Sequence, residues 1–267
     1  MACHRTKPAW TAKNGITFRA QDRKPDYYVP CGKCLGCKAD QARDWAIRIE
    51  HEARLHDQKC FLTLTYSDEY LPADRKIDRE LLTKKMKELQ RKLDIGLRYF
   101  AVGEYGDKTR RPHYHAVLYG TDLLGGSSST RGDKYIHPAI SGLWPYGNHE
   151  IQPYDDGTAV YTAGYVSKKI GDPECFSIKS TRPPLGKAYC IKDAERILAN
   201  GTAIINGTEL PVPKVYVKWL EQNGYQVEQL KEKIREAGRR KAPITDRRGQ
   251  AKDINAKAKL QRKGEVI

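Results

Sequence analysis

Two histidines one residue apart, in His113-Tyr114-His115, stand inside a run of β-forming residues, and no other feature constrains this chain as much. In a strand alternate side chains share a face, so both imidazoles project to one side and Tyr114 to the other. A second apolar run, Leu97–Glu104, precedes the first, and the polar segment Tyr105–Pro112 separates it from His113–Gly120. Two such runs predict a β-hairpin. Glu104 lies nine residues before His113, so the hairpin brings it beside His113, where facing side chains sit ~5 Å apart. Two imidazoles and a carboxylate on one sheet face make a divalent-cation site with open coordination positions. The bland alternative is a pair of ordinary polar residues on a solvated face. The shared face and the carboxylate next door favour ligation. The same donor set serves Fe(II) oxygenases, but nothing in the chain suggests their barrel of many short strands.

Charge indicates what such a site acts on. The 267 residues carry a formal charge of +15, which is large for a small-molecule enzyme and suited to attracting a polyanion. No run of 18 or more apolar residues marks a membrane span, and Met1-Ala2-Cys3-His4-Arg5 lacks the apolar stretch of a signal peptide. A cytoplasmic protein with a nucleic-acid partner and no membrane partner is expected. The surplus is uneven. Residues 231–263 hold 13 Lys and Arg against 4 Asp and Glu, nine of the fifteen net charges, and read as a basic tail that binds DNA or stays solvated.

A second constellation lies downstream, where Ala159–Ile170 has no proline and a helical period. Tyr161, Tyr165 and Lys168 fall within roughly 60° of one another on that helix, on one stripe. Ala159, Ala163, Val166 and Ile170 take the opposite side, so the tyrosines are not needed for the core. A phenol with a pKa of about 10 is a poor nucleophile unless a cation or metal assists it. Lys168 is a nearby cation, and a metal at Glu104, His113 and His115 would polarise a phosphate.

Around these motifs the pattern is α+β. Residues 1–37 are rich in Cys, Pro, Gly and Lys and read as an irregular segment, followed by an amphipathic helix from Ala39 to His56 and a strand, Phe61–Tyr66. A helix over Leu81–Leu93, the hairpin, a strand near Gly147–Pro153 and the tyrosine helix complete a βαββ(β)α order. This predicts a central antiparallel sheet with packed helices. Helical signals recur near 188–200, 215–220 and 226–236. The expected division is a segment 1–37, a catalytic domain 38–200 and a basic, mainly helical extension 201–267.

Arg111-Pro112-His113-Tyr114-His115 with Tyr161-x-x-x-Tyr165-x-x-Lys168 resembles the HUH endonuclease superfamily, and within it the replication initiators of microvirus-type single-stranded DNA phages, the gokushovirus branch most of all. Pro30–Cys37, Phe61–Tyr66 and Gly103-Glu104-Tyr105-Gly106 agree, and residues 28–190 carry the likeness. The resemblance implies a core of the RRM or ferredoxin-like kind. It also implies a rolling-circle initiator in which one tyrosine attacks the origin phosphate, leaving a 5′-phosphotyrosyl link and a 3′-hydroxyl primer. The second tyrosine then acts after one round, closing the circle. Mg²⁺ or Mn²⁺ is the implied metal. Lys168 is given the role of orienting the phosphate or neutralising the phenolate. The partners are single-stranded origin DNA and the phage replicative form, with a host helicase and polymerase, in the cytoplasm of an infected bacterium. The chain departs from the pattern where Lys169 is followed closely by Gly171-Asp172-Pro173, which makes the tyrosine helix short. Conjugative relaxases carry their tyrosine near the N-terminus, unlike this chain.

Cys31, Cys34 and Cys37, at two-residue gaps, with Cys3 or His4 as a fourth ligand, form a candidate structural zinc site. Unmetallated thiols and an iron–sulfur cluster stay open. Cys60, Cys175 and Cys190 read as ordinary buried thiols. Two other functions compete. A nonenzymatic nucleic-acid-binding protein accounts for the charge but not for the tyrosine stripe, and a single-strand transposase of the HUH type usually carries one tyrosine rather than two. No helicase P-loop is present, so unwinding falls to another protein.

Overall fold

The chain enters through a small sheet before its first long helix. In the computed structural model the described residues are all but 1–2, 14, 20, 107–108, 156, 169–173, 240–245 and 263–267, and the side chains of 165–168, 237–239, 246 and 259–262 are also left aside. Strands β1 (Lys7–Ala12), β2 (Gly15–Thr17) and β3 (Tyr27–Val29) pair antiparallel in the order β2-β1-β3. This corrects the expectation of an irregular segment over residues 1–37. Two of the strands have three residues each, too short for a period of two to show in a sequence.

Helix α1 (Leu35–Ala53) follows, then β4 (Lys59–Thr65), α2 (Arg79–Leu93) and the hairpin of β5 (Arg98–Tyr105) and β6 (Pro112–Tyr119). Helix α2 starts at Asp78, whose carboxylate accepts from the Glu80 and Leu81 amides at 2.8 and 2.9 Å, the usual stabilising N-cap. Strands β7 (Ser128–Arg131) and β8 (Lys134–Ile136), helix α3 (Pro138–Leu143), β9 (His149–Pro153), helix α4 (Thr158–Lys168) and β10 (Phe176–Lys179) complete one antiparallel sheet of seven strands, ordered β10-β5-β6-β4-β9-β8-β7. The fold class is therefore the expected α+β one.

Strand alternation gives this sheet two packed faces. Leu62 and Leu64 of β4, Ala101 of β5 and Tyr114, Ala116 and Leu118 of β6 face Leu82, Met86 and Leu89 of α2. On the other face Phe61, Phe100, Val102, Val117 and Tyr119 meet Ala46, Ile47 and Ile49 of α1 and Ala159 and Ala163 of α4.

The C-terminal third joins that second core. It forms α5 (Lys187–Lys192), α6 (Ala194–Asn200), a hairpin of β11 (Thr202–Ile205) and β12 (Thr208–Pro211), α7 (Lys214–Gln222), α8 (Glu228–Arg239) and α9 (Asp246–Arg262). Ala203, Ile205, Tyr216, Leu220 and Leu230 pack in the same cluster as Ile47 and Phe100, so one core runs across the division drawn from sequence at residue 200.

His51 of α1 is buried in this cluster, its ring nitrogens bonded to the Tyr216 hydroxyl at 2.9 Å and the Ile204 carbonyl at 3.1 Å. Burial pushes its pKa down to about 4. Between that value and the ordinary imidazole range near 6.5 the unfolded chain binds a proton that the native state does not. Stability attributable to His51 is therefore intact at pH 7 and is lost as pH falls from about 6.5 towards 4, with a slope approaching about 1.4 kcal/mol per pH unit. Urea unfolding of wild type and His51→Gln at pH 7, 5.5 and 4.5 checks this, since the variant should lack that part of the acid loss.

Candidate active site

Three strands set the site through their register. Across β4, β6 and β5, Phe61 lies opposite Val117 and Val117 opposite Phe100. The next row is Thr63, His115 and Val102, and the last is Thr65, His113 and Glu104. One sheet face thus changes from apolar to polar over two rows, under the end of α4. The expected pairing of Glu104 with His113 is present as directly facing residues. Tyr114 turns to the opposite core, 1% exposed, where its hydroxyl accepts from the Asp78 amide at 2.8 Å.

Hydrogen bonds prepare both imidazoles. His113 Nδ1 lies 2.6 Å from the Arg111 carbonyl; a carbonyl only accepts, so Nδ1 carries the proton and Nε2 offers its lone pair. Burial lowers the His113 pKa below the ordinary imidazole value, which keeps the ring neutral and able to ligate at pH 7. His115 Nε2 lies 3.2 Å from Glu104 Oε1 and its Nδ1 lies 3.0 Å from the Thr63 hydroxyl. Because a hydroxyl donates or accepts, Thr63 supports either tautomer of His115. A cation between His115 and Glu104 takes the place of their mutual hydrogen bond, with Nδ1 then donating to Thr63. His113 and His115 stack with ring centroids 6.3 Å apart and 6° between planes, and Phe61 continues the stack at 5.5 Å from His115. A buried carboxylate with two oriented imidazoles fits Mg²⁺ or Mn²⁺.

Helix α4 brings a phenol to this face. Asp155 fixes its start, accepting from the Gly157 amide at 3.0 Å and the Thr158 hydroxyl at 2.6 Å. Small residues then let it lie close along α1: Ala159, Thr162 and Ala163 are each 0% exposed. Tyr161 falls off that face and is 56% exposed, its ring edge-on to His115 at 6.3 Å and to Phe61 at 5.9 Å. Beside it opens a groove of about 470 Å³ lined by Thr63, His115, Gln152, Thr158 and Tyr161, with Lys134 and Glu150 ion-paired at 2.7 Å on its wall. Tyr165 and Lys168 lie on the same helix, but their side chains are outside the described residues, as is Val166; Ile170 lies wholly outside them.

Away from this face, the sulfurs of Cys3, Cys31, Cys34 and Cys37 gather within 4.8 Å of one another. Cys60, Cys175 and Cys190 are buried apart from them. Sequence reasoning missed Thr63 and Phe61 as neighbours of His115, because only the pairing of β4 with β6 puts them there. It also missed the Arg111 carbonyl, which no side-chain pattern reveals.

Comparison with known proteins follows the same residues. The family model for the ORF2 class of replication-associated proteins matches residues 59–170, from β4 through the tyrosine helix. Replication-associated protein VP4 of Bdellovibrio phage phiMH2K is 34% identical over 219 residues, covering 74% of this chain and 69% of the relative. Replication-associated protein ORF2 of Spiroplasma virus 4 is 31% identical over 239 residues, 79% and 74% of the two chains. Replication-associated protein ORF4 of Chlamydia phage 1 is 28% identical over 218 residues, 73% and 54%. No solved structure matches the chain.

The donor set predicts one Mn²⁺ per chain at this face, measured as loss of the free-ion signal in electron paramagnetic resonance. Glu104→Ala and His115→Ala should each abolish tight binding. Thr63→Val, which leaves the three ligands in place, should weaken it roughly 10–100-fold, the usual effect of removing a partner that orients a ligand. Unchanged affinity in both ligand variants would remove the trio from the site.

Proposed function

Since the chain belongs to the replication-associated proteins of microvirus-type phages, we propose that it initiates rolling-circle replication by nicking one DNA strand with a tyrosine of α4. The observation that carries this reading is the exposed Tyr161 ring, edge-on to His115 at 6.3 Å, above the face where Glu104 and His113 pair. A phenol near pKa 10 attacks a phosphodiester only where the phosphate is held in line and its growing charge is met by positive charge. Mg²⁺ or Mn²⁺ held by Glu104, His113 and His115 would supply that positive charge at the phosphate oxygens.

The chain's own residues do the rest. The groove beside Tyr161 admits a single strand, and the net charge of +15 draws it in. The Tyr161 oxygen forms a bond to phosphorus as the bond from phosphorus to the 3′ oxygen breaks, and the phenolic proton ends on that 3′ oxygen. A 5′-phosphotyrosyl strand and a 3′-hydroxyl primer result. The phosphotyrosyl bond replaces one phosphodiester by another, so a later 3′-hydroxyl reverses the exchange and joins the strand. Tyr165, one helical turn along α4, provides the second phenol for the cut that ends a round, and Lys168 a cation for phosphate or phenolate. Two tyrosines favour replication over a single-tyrosine transposase. Unwinding and synthesis fall to a host helicase and polymerase in the cytoplasm of the infected bacterium. Among the described residues no helix is long and apolar enough to cross a membrane, and no membrane partner is part of this reading.

The test is a denaturing gel of labelled single-stranded oligonucleotides tiling the cognate phage genome, incubated with protein and Mn²⁺. Wild type is expected to give a protein-linked band that EDTA abolishes. Tyr161→Phe and Tyr165→Phe should each lose strand joining, and the double variant should lose all adduct. Absence of any adduct across the genome with wild type would leave a nonenzymatic DNA-binding protein as the better account.

A further inference from the structure

The N-terminal cysteines lie outside the proposed nicking reaction and outside the family match over residues 59–170. We propose that Cys3, Cys31, Cys34 and Cys37 bind one structural Zn²⁺ as a tetrathiolate, and that this ion fastens both the N-terminal segment and helix α9 to the start of α1.

Geometry favours a metal over disulfides. Cys3 and Cys34 have sulfurs 3.9 Å apart, and so do Cys31 and Cys37. A disulfide requires ~2.05 Å. Four sulfurs at ~2.3 Å from a tetrahedral zinc are ~3.8 Å from one another, close to the spacing present. The backbone is already turned towards the sulfurs. The amides of Arg5 and Cys31 donate to Cys3 Sγ at 3.4 and 3.2 Å. His4 donates to Cys34 at 3.2 Å, Gly32 to Cys37 at 3.3 Å and Cys34 to Cys31 at 3.4 Å. Such N–H to sulfur bonds spread the negative charge that a tetrathiolate concentrates. Cys34 occupies the N-cap of α1, yet its side chain caps nothing in the helix and instead faces the cluster. Cys37 stands in the first turn, where the helix dipole favours thiolates. Cys3 and Cys37 are 1% and 4% exposed, and four sulfurs converging on one point have no role in apolar packing that would require them to meet.

The sequence left Cys3 and His4 as rival fourth ligands; the fold separates them. His4 turns away, its Nδ1 2.5 Å from Asp253 of α9, and the Arg5 guanidinium reaches the other Asp253 oxygen at 3.1 Å. Ligation of Cys3 therefore holds the two following residues where they grip α9. Zinc binding displaces the protons of whichever thiols are still protonated and involves no oxidation or reduction.

Full-length protein purified without added metal and measured by plasma mass spectrometry is expected to hold one zinc per chain. Replacement by Co²⁺ should give the intense red-region bands of a tetrahedral thiolate site, and Cys34→Ser should lose both signals. Iron in place of zinc, or intramolecular disulfides in the intact mass with no metal, would overturn the zinc assignment. Hydrogen exchange tests the fastening. Asp253→Ala should keep its zinc while amides in 246–262 lose protection, and stripping zinc from wild type should expose the same amides. Unchanged protection of α9 after zinc removal would refute the link between the ion and this helix. Should Cys34→Ser fail to fold, the Co²⁺ spectrum and exchange of wild type still decide the question.

Discussion

The antiparallel register of β4, β6 and β5 is the constraint on which the rest of the molecule depends. It aligns Thr63 with His115 and His113 with Glu104. A strand has a side-chain period of two, so a slip of one residue in β6 would drive His113 and His115 into the core beneath α2 and bring Tyr114 and Ala116 to the site. That slip would bury two imidazoles where Leu82, Met86 and Leu89 now pack, at a cost of several kcal/mol. The chemistry of the face and the stability of the sheet thus specify the same register.

Helix α1 carries that order to the tyrosines. It crosses the apolar rows of the sheet and meets Ala159 and Ala163 of α4 through a common cluster. Its own polar groups are buried and matched. Glu52, 3% exposed, takes the Arg98 guanidinium and the Gly186 amide, while Glu50 accepts from Tyr154 at 2.8 Å, just before α4. Breaking one partner of such a set leaves an uncompensated buried charge, so α1 is held at one position over the sheet. The distance from Tyr161 to His115 follows from that position, because α4 packs on α1 through small side chains. In the proposed reaction this distance selects which phenol meets the phosphate.

The outer parts of the chain converge on the same helix from its other end. The three-stranded sheet, the cysteine cluster and the Asp253 contact all lie at or near the start of α1. Much of the basic surplus of residues 231–263 therefore belongs to helices α8 and α9 rather than to a solvated tail. Helix α9 is anchored on one side by Asp253, with most of its described side chains exposed, an arrangement in which its cations can meet phosphates.

The residue pattern alone determined the α+β class, the facing of Glu104 and His113, the outward stripe containing Tyr161 and the convergence of three cysteines. Each rests on a short-range period, two for strands and 3.6 for helices, or on a short spacing that a sequence displays directly. Strands of three residues carry no such period, which is why residues 1–37 looked irregular. Tertiary structure decided what lies far apart in the chain: Thr63 beneath His115, Cys3 rather than His4 at the cysteine cluster, His4 on Asp253, and residues 203–230 packed in one core with α1. The contact of His4 with Asp253 alone spans 249 positions. Such partners are chosen by how layers pack and which buried groups must be satisfied, and no local period encodes that choice.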